Sequence, residues 1–175
     1  MRRTIYGAAV SLDAYIAGPN GEVDWLQWND EVAEISKETW KRVDTVLLGR
    51  KTYEVAVRSG LRAYPGVRNI VFSRTLRPSS AMNVTIVSED AVEFVHKLKQ
   101  EPGADICVIG GGELARSLMD AGLIDEIGVN VQPVVLGSGI PLLPEGRRDN
   151  LELIESRVLT GGGVYLLYRV VREKT

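Results

Sequence analysis

One stretch limits the fold more than any other: Asp105 to Ala121, Asp-Ile-Cys-Val-Ile-Gly-Gly-Gly-Glu-Leu-Ala-Arg-Ser-Leu-Met-Asp-Ala. It opens on Ile106 to Ile109, a short apolar run rich in β-branched residues, which reads as a buried strand. Gly110, Gly111 and Gly112 come next. Then Leu114, Ala115, Leu118 and Met119 recur at helical spacing, and Gly122 is placed to end the helix. A strand, a glycine turn and a helix N-terminus form a ready anion site. The first N–H groups of the helix have no partner, and the helix dipole favours negative charge. Glycine also lets a phosphate approach the backbone with no Cβ in the way. The expectation is a nucleotide phosphate at this junction.

Two other readings of the stretch stay open. The glycines can simply make a tight turn. Gly110, Gly112 and Ala115 also fit a G-x-G-x-x-A dinucleotide fingerprint. That fingerprint normally opens its domain and expects an acidic residue at the end of the next strand. Here the next strand ends at Gln132-Pro133.

The remaining sequence narrows the classes. A chain of 175 residues with 45% hydrophobic and 25% charged residues reads as a single globular domain spanning 1–175. Lys and Arg number 21 against 23 Asp and Glu, a net charge of −2 with no basic stripe, so no nucleic-acid partner is expected. No apolar run approaches a membrane span. Arg2 and Arg3 do not open a signal peptide, because Tyr6, Ser11 and Asp13 interrupt the apolar run after them. The single cysteine, Cys107, excludes an internal disulfide and suits a reducing cytoplasm. With only His96 beside it, no protein zinc site is expected, and Ser-His-Asp or Cys-His hydrolysis is disfavoured.

Taken in order, Thr4 to Leu12 is a first strand whose Gly7, Ala8 and Ala9 leave room for something flat. Pro19-Asn20-Gly21 marks a loop over 17–24. The next element is a helix with Val32, Ile35, Ser36, Thr39, Trp40 and Val43 on its inner face, capped by Asn29 or Asp30. Thr45 to Leu48 is a second buried strand that runs into Gly49-Arg50-Lys51-Thr52, another strand, glycine and helix start. Arg50, Lys51 and Thr52 offer charge and donors to a phosphate. A third strand, Arg68 to Arg74, ends in Ser73 and Arg74, a pair suited to a 2′-phosphate. Val84 to Val87 is a fourth strand, and Ser88 is placed to cap the helix after it. Ile124 to Val131 alternates, with Ile127, Val129 and Val131 on one face and Gly128 and Asn130 on the other. Residues 133–144 read as a loop, and Leu151–Leu159 with Val164–Val171 as a hairpin across Thr160 to Gly163. Strands alternating with helices and then a hairpin predict an α/β fold. Its three α/β/α layers would hold a mostly parallel sheet with an antiparallel C-terminal edge.

Val46 to Glu54, Asn69 to Arg74 and Val108 to Leu114 together resemble the dihydrofolate reductase fold in order and spacing. Gly111 to Glu126, then Pro133 to Ser138, is similar to the reductase domain of the bifunctional riboflavin-biosynthesis deaminase/reductase, and Ser11-Leu12-Asp13 matches that domain's opening motif. The resemblance implies NADPH as cofactor. It would be held by Ala9, Ile16, Gly49, Arg50, Lys51, Thr52, Ser73, Arg74, Ile109, Gly110, Gly111, Gly112, Glu113 and Leu114. Within that set, Gly111, Gly112, Arg50, Lys51 and Thr52 would meet the pyrophosphate. Ser73 and Arg74 would meet the adenosine 2′-phosphate, and Ala9 and Ile16 would flank the nicotinamide. The resemblance also implies a cytoplasmic homodimer acting on a small molecule.

The expected reaction is hydride transfer to a C=O or C=N carbon, with a riboflavin-pathway pyrimidine as the model substrate. A general acid is then required, and Asp13 and Asp30 are the candidates, with Glu34 behind them. Dihydrofolate reductase proper, or an NADPH-binding protein without turnover, are the alternatives. True dihydrofolate reductases place a carboxylate on the first helix, supported by a hydroxyl whose place Val129 takes here.

Overall fold

The structure is a computed structural model that describes residues 1–77, 83–109 and 111–172. The chain runs β1 (Thr4–Ser11), β2 (Tyr15–Ala17), α1 (Asp30–Trp40), β3 (Val43–Gly49), α2 (Arg50–Arg58), β4 (Arg68–Phe72), β5 (Val84–Val87) and α3 (Ala91–Leu98). It continues through β6 (Asp105–Ile109), α4 (Gly112–Asp120), β7 (Glu126–Gln132), β8 (Ile140–Pro141), β9 (Asn150–Val158) and β10 (Val164–Val171). Eight strands form one sheet in the order β5-β4-β3-β6-β1-β7-β10-β9. From β5 to β7 every neighbour is parallel. Strands β10 and β9 then close the sheet antiparallel. The mostly parallel sheet with an antiparallel hairpin is the architecture the sequence pattern predicts.

The central strands are continuous apolar runs because helices cover both faces. On one face, Val95 and Leu98 of α3 and Ala115, Leu118 and Met119 of α4 pack on Tyr6, Leu47, Ile70, Ile106 and Val108. Leu118 is fully buried, so Leu118→Ala would cost roughly 2–5 kcal/mol. On the other face, Val46, Leu48, Val71 and Cys107 form a smaller core with Trp40, Tyr53 and Tyr64. Trp40 and Tyr64 stack there with ring centroids 5.1 Å apart.

The two ends of the sheet differ. Ionic groups collect where the strands begin. Lys99 donates to Thr4 Oγ1 (3.2 Å), to the Leu123 carbonyl (3.1 Å) and to Asp125. Arg42 binds Asp105 (3.0 Å) and Glu126 (3.1 Å), joining β6 to β7. Where the strands end, the sheet opens. Strand β1 pairs with β6 only as far as Gly7 opposite Ile109, but with β7 as far as Ser11 opposite Gln132. Beyond Gly7 the β6 side of β1 has no neighbouring strand among the described residues, and a cleft fills that place.

Two details depart from the sequence reading. Helix α3 is capped by Asp90, not Ser88: the Asp90 carboxylate accepts from Val92 N (2.9 Å) and Glu93 N (3.0 Å). A carboxylate adjacent to the first helical residue reaches those N–H groups, whereas Ser88 lies too far out. Strands β2 and β8 also pair with each other, β2 at the start of the 17–24 loop and β8 inside the segment 133–144 that reads as a loop. Both are too short to show a period of two.

Candidate functional site

The cleft has a volume of about 1360 Å³ and is lined from the C-terminal ends of β1, β3, β4, β6 and β7 and from α1, α2 and α4. This is where ligands enter open α/β sheets.

One half lies at two adjacent strand–helix junctions. Strands β3 and β6 are neighbours, so the N-termini of α2 and α4 stand side by side. Each is capped by a glycine, Gly49 and Gly111, and neither cap makes a side-chain hydrogen bond. Both therefore leave backbone N–H groups available to a ligand. Gly111 is left-handed (φ 71°), a conformation that disfavours any side chain, and a Cβ there would lie 3.3 Å from Thr52 Oγ1. The two junctions touch at this point. Gly112 has a different job: a Cβ there would lie 2.8 Å from the Pro141 and Leu142 carbonyl oxygens. Its bareness lets the segment after β8 close against α4. That segment is fixed by the buried Tyr6 hydroxyl, which donates to the Leu142 carbonyl (2.8 Å), and by Leu142 N donating to the Ala14 carbonyl (2.9 Å).

Most of the expected cofactor residues face this cleft. Ala9, Ile16, Gly49, Arg50, Lys51, Thr52, Ile109, Gly111, Gly112, Glu113 and Leu114 all line it. Gly110 lies outside the described residues. Ser73 and Arg74 are not brought into the lining. The Ser73 hydroxyl instead accepts from Thr75 N (3.2 Å) and Leu76 N (3.0 Å), closing a turn. Arg50 spans the gap toward that turn, donating to Glu54 (2.8 Å) and to Thr75 Oγ1 (2.8 Å).

The other half lies between α1 and the sheet. Val32, Ile35, Ser36 and Thr39 form its roof, and Trp28 stands at its mouth, 71% exposed. The floor is set by the strand register. Gly7 is paired with Gly128, and Ala9 with Asn130, which is paired in turn with Tyr165. Gly7, Gly128 and Ala9 leave a bare patch. The Tyr165 hydroxyl overhangs it, 3.3 Å from where a Gly128 Cβ would stand. Cys107 borders the patch but is buried, and burial pushes its thiol up to about 12, so it is not a nucleophile here. Sequence reasoning misses Asn130, Tyr64 and Tyr165 as site residues. A signal is present in β7, where Gly128 and Asn130 occupy the face opposite Ile127 and Val129.

Neither candidate acid lines the cleft. Asp13 faces the segment after β7 and accepts from Leu136 N (3.1 Å) and Gly137 N (2.7 Å). The Ser11 hydroxyl, followed by those two N–H groups, holds its carboxyl below the usual range and outweighs partial desolvation. Asp30 is exposed in the first turn of α1, and the cap there is Asn29, which accepts from Val32 N (2.9 Å). The other α1 carboxylates are engaged elsewhere. Glu31 accepts from Thr160 N, Glu34 pairs with Lys37 (3.3 Å), and Glu38 pairs with Arg157 (2.8 Å).

Comparison with known proteins agrees with this geometry. The chain is 38% identical over 169 residues to the uncharacterized protein YwjB of Bacillus subtilis strain 168, covering 95% of this chain and 97% of that one. It is 32% identical over 180 residues to the uncharacterized protein YyaP of the same organism, covering 95% and 94%. Among solved structures, a putative riboflavin biosynthesis protein from Shewanella sp. PV-4 superposes with a TM-score of 0.83 at 27% identity, over 97% of this chain and 99% of that one. A diaminohydroxyphosphoribosylaminopyrimidine deaminase/5-amino-6-(5-phosphoribosylamino)uracil reductase from Thermotoga maritima shares the fold, with a TM-score of 0.73 at 17% identity; this chain spans 57% of its length. The model of the RibD C-terminal domain matches residues 2–166, and the chain belongs to that family.

Proposed function

We propose that the protein is an NADPH-dependent reductase that reduces a C=O or C=N carbon of a small molecule. One observation carries the reading: two glycine-capped helix N-termini lie side by side at the split in the sheet. A dinucleotide pyrophosphate carries two negative charges close together, and paired N-termini suit that spacing better than one. The cradle at Gly111 is one that a Cβ would fill against Thr52. Lys51, exposed beside it, adds a cation. When bound, NADPH would supply the hydride. The chain's own part is to hold the ring near Ala9 and Ile16, to cover it from water with the α1 roof, and to hold the acceptor on the floor beside it.

The α1 roof bears on the alternative of a dihydrofolate reductase. Such a site needs a carboxylate on the inner face of the first helix, and that face carries Val32, Ile35, Ser36 and Thr39. The reading retains a homodimer, with the C-terminal hairpin as its contact surface. Ile127 and Val129 are buried in the chain's own core, whereas Leu151, Leu153, Ile154 and Val158 on the edge strand β9 are exposed.

The test is a titration of NADPH, NADP⁺ and NADH into the purified protein, monitored by fluorescence. Tight NADPH binding with weaker NADH binding is expected. No binding of any dinucleotide would end the reading.

A further inference from the structure

The segment over residues 141–149 runs along α4 from one end to the other. At its start it lies on the helix N-terminus. Pro141 and Pro144 line the cleft, and a Cβ at Gly112 would lie 2.8 Å from the Pro141 and Leu142 carbonyl oxygens and 3.2 Å from Pro144 Cδ. At its far end Arg147 donates to the carbonyl of Met119 (3.2 Å), in the last turn of α4. Between these points it crosses Arg116, which is only 8% exposed. The segment comes down directly on that side chain: a Cβ at Gly146 would lie 2.5 Å from Arg116 Cδ and Nε.

Arg116 grips what crosses it. Its guanidinium binds the buried carboxylate of Asp149 (3.0 Å) and that of Asp120, and donates to the Arg147 carbonyl (3.4 Å). Asp149 accepts a second bond from Arg147 (3.0 Å). Arg116 Nε, however, is buried with no hydrogen-bond partner among the described residues. A buried ion pair adds little stability over apolar packing, and an unpaired buried donor subtracts from it. What the cluster supplies is geometry, because a guanidinium meets a carboxylate in few arrangements. None of Arg116, Arg147 and Asp149 lines the cleft, so their effect on a ligand passes through the segment.

We propose that Arg116 is a positioning residue for the nicotinamide end of the dinucleotide site. Clasped to Asp149, it seats the 141–149 segment on α4, and the seated segment fixes β2. Ile140 and Pro141 of β8 pair with Ala17 and Tyr15, and Leu142 N donates to the Ala14 carbonyl (2.9 Å), so the chain on both sides of Ile16 is tied to the segment. This rests on the reductase reading, in which the ring lies near Ala9 and Ile16. At the other junction, Arg50 is tied instead to Glu54 and Thr75, away from the clasp.

The test compares NADP⁺ with adenosine 2′,5′-bisphosphate, which lacks the nicotinamide half. Both are titrated by tryptophan fluorescence, since Trp28 and Trp40 line the cleft. Arg116→Leu and Asp149→Asn should each weaken NADP⁺ about tenfold and leave the bisphosphate within about twofold. Arg116→Lys, which keeps the charge, should recover part of the loss. A general loosening of the fold would weaken both ligands alike. The coupling is reciprocal, so the unmodified protein tests it as well, even where a variant does not fold. Saturating NADP⁺ should slow tryptic cleavage after Arg147 and Arg148 about tenfold relative to saturating bisphosphate, with the fragments identified by mass. Equal weakening of the two ligands, unaltered NADP⁺ affinity, no binding of the bisphosphate, or equal cleavage with either ligand would each overturn the inference and leave the reductase reading standing. If no dinucleotide binds the unmodified protein, both fall.

Discussion

The two halves of the cleft are built from different material. At the β3–α2 and β6–α4 junctions the groups offered are backbone N–H, presented by glycines. Beneath α1 they are side chains on a floor kept bare by Gly7 and Gly128. Backbone donors do not change when a side chain is replaced, so the first half is fixed by the turn itself. The second half can be re-cut by single substitutions on α1, β7 or β10 without disturbing the first.

Substitution at the glycines is the largest blow to this comparison. Gly111→Asp imposes a left-handed strain of roughly 1–2 kcal/mol and places a carboxylate where an anion should sit. NADPH affinity should fall by about 100-fold or more, measured by fluorescence titration; retained affinity would show that the junction is only a turn. Lys51→Ala should weaken NADPH about tenfold at low salt and less at high salt, because exposed charges are screened. A salt-independent loss would move Lys51 from a long-range to a contact role.

Two smaller effects sharpen the boundary of the site. Asp13 has a folded-state pKa below its unfolded value. Its stabilising contribution is therefore present above the ordinary carboxylate pKa and disappears as pH falls through the lowered one. Asp13→Asn should flatten the acid limb of the stability–pH curve, measured by thermal unfolding between pH 3 and 6 (roughly the carboxylate range). An unchanged limb would mean that the Leu136 and Gly137 contacts are not made in solution. Asp30→Asn should change NADPH affinity and turnover by less than about twofold, as expected of an exposed residue off the cleft. Lost turnover would bring Asp30 back as the acid.

The same division decides what could be read in the sequence. The glycine junctions are local: strand, turn and helix succeed one another within Ile106 to Met119 and within Thr45 to Glu54, so both junctions were legible. The fold was legible from the alternation of strands and helices. The half beneath α1 is assembled across strands that are far apart in the chain. Nothing in the sequence says that Ala9, Asn130 and Tyr165 share one row; only the register does. The acids failed to reach the cleft for a related reason. On α1 the inner face is set by Val32, Ile35, Ser36 and Thr39, and Asp30 precedes that face by half a turn.

The split between β1 and β6 gives the sheet an edge in its interior. Past Gly7, alternate residues of β1 turn their N–H and C=O toward open space, as an outer strand does. The outer edge at β9 is nine residues long and open to another chain. The inner one is walled by helices and by the segment after β8, so a strand from another protein cannot reach it. A group that completes the ladder there must fit inside the cleft, and a carboxamide carries the C=O and N–H of one peptide group.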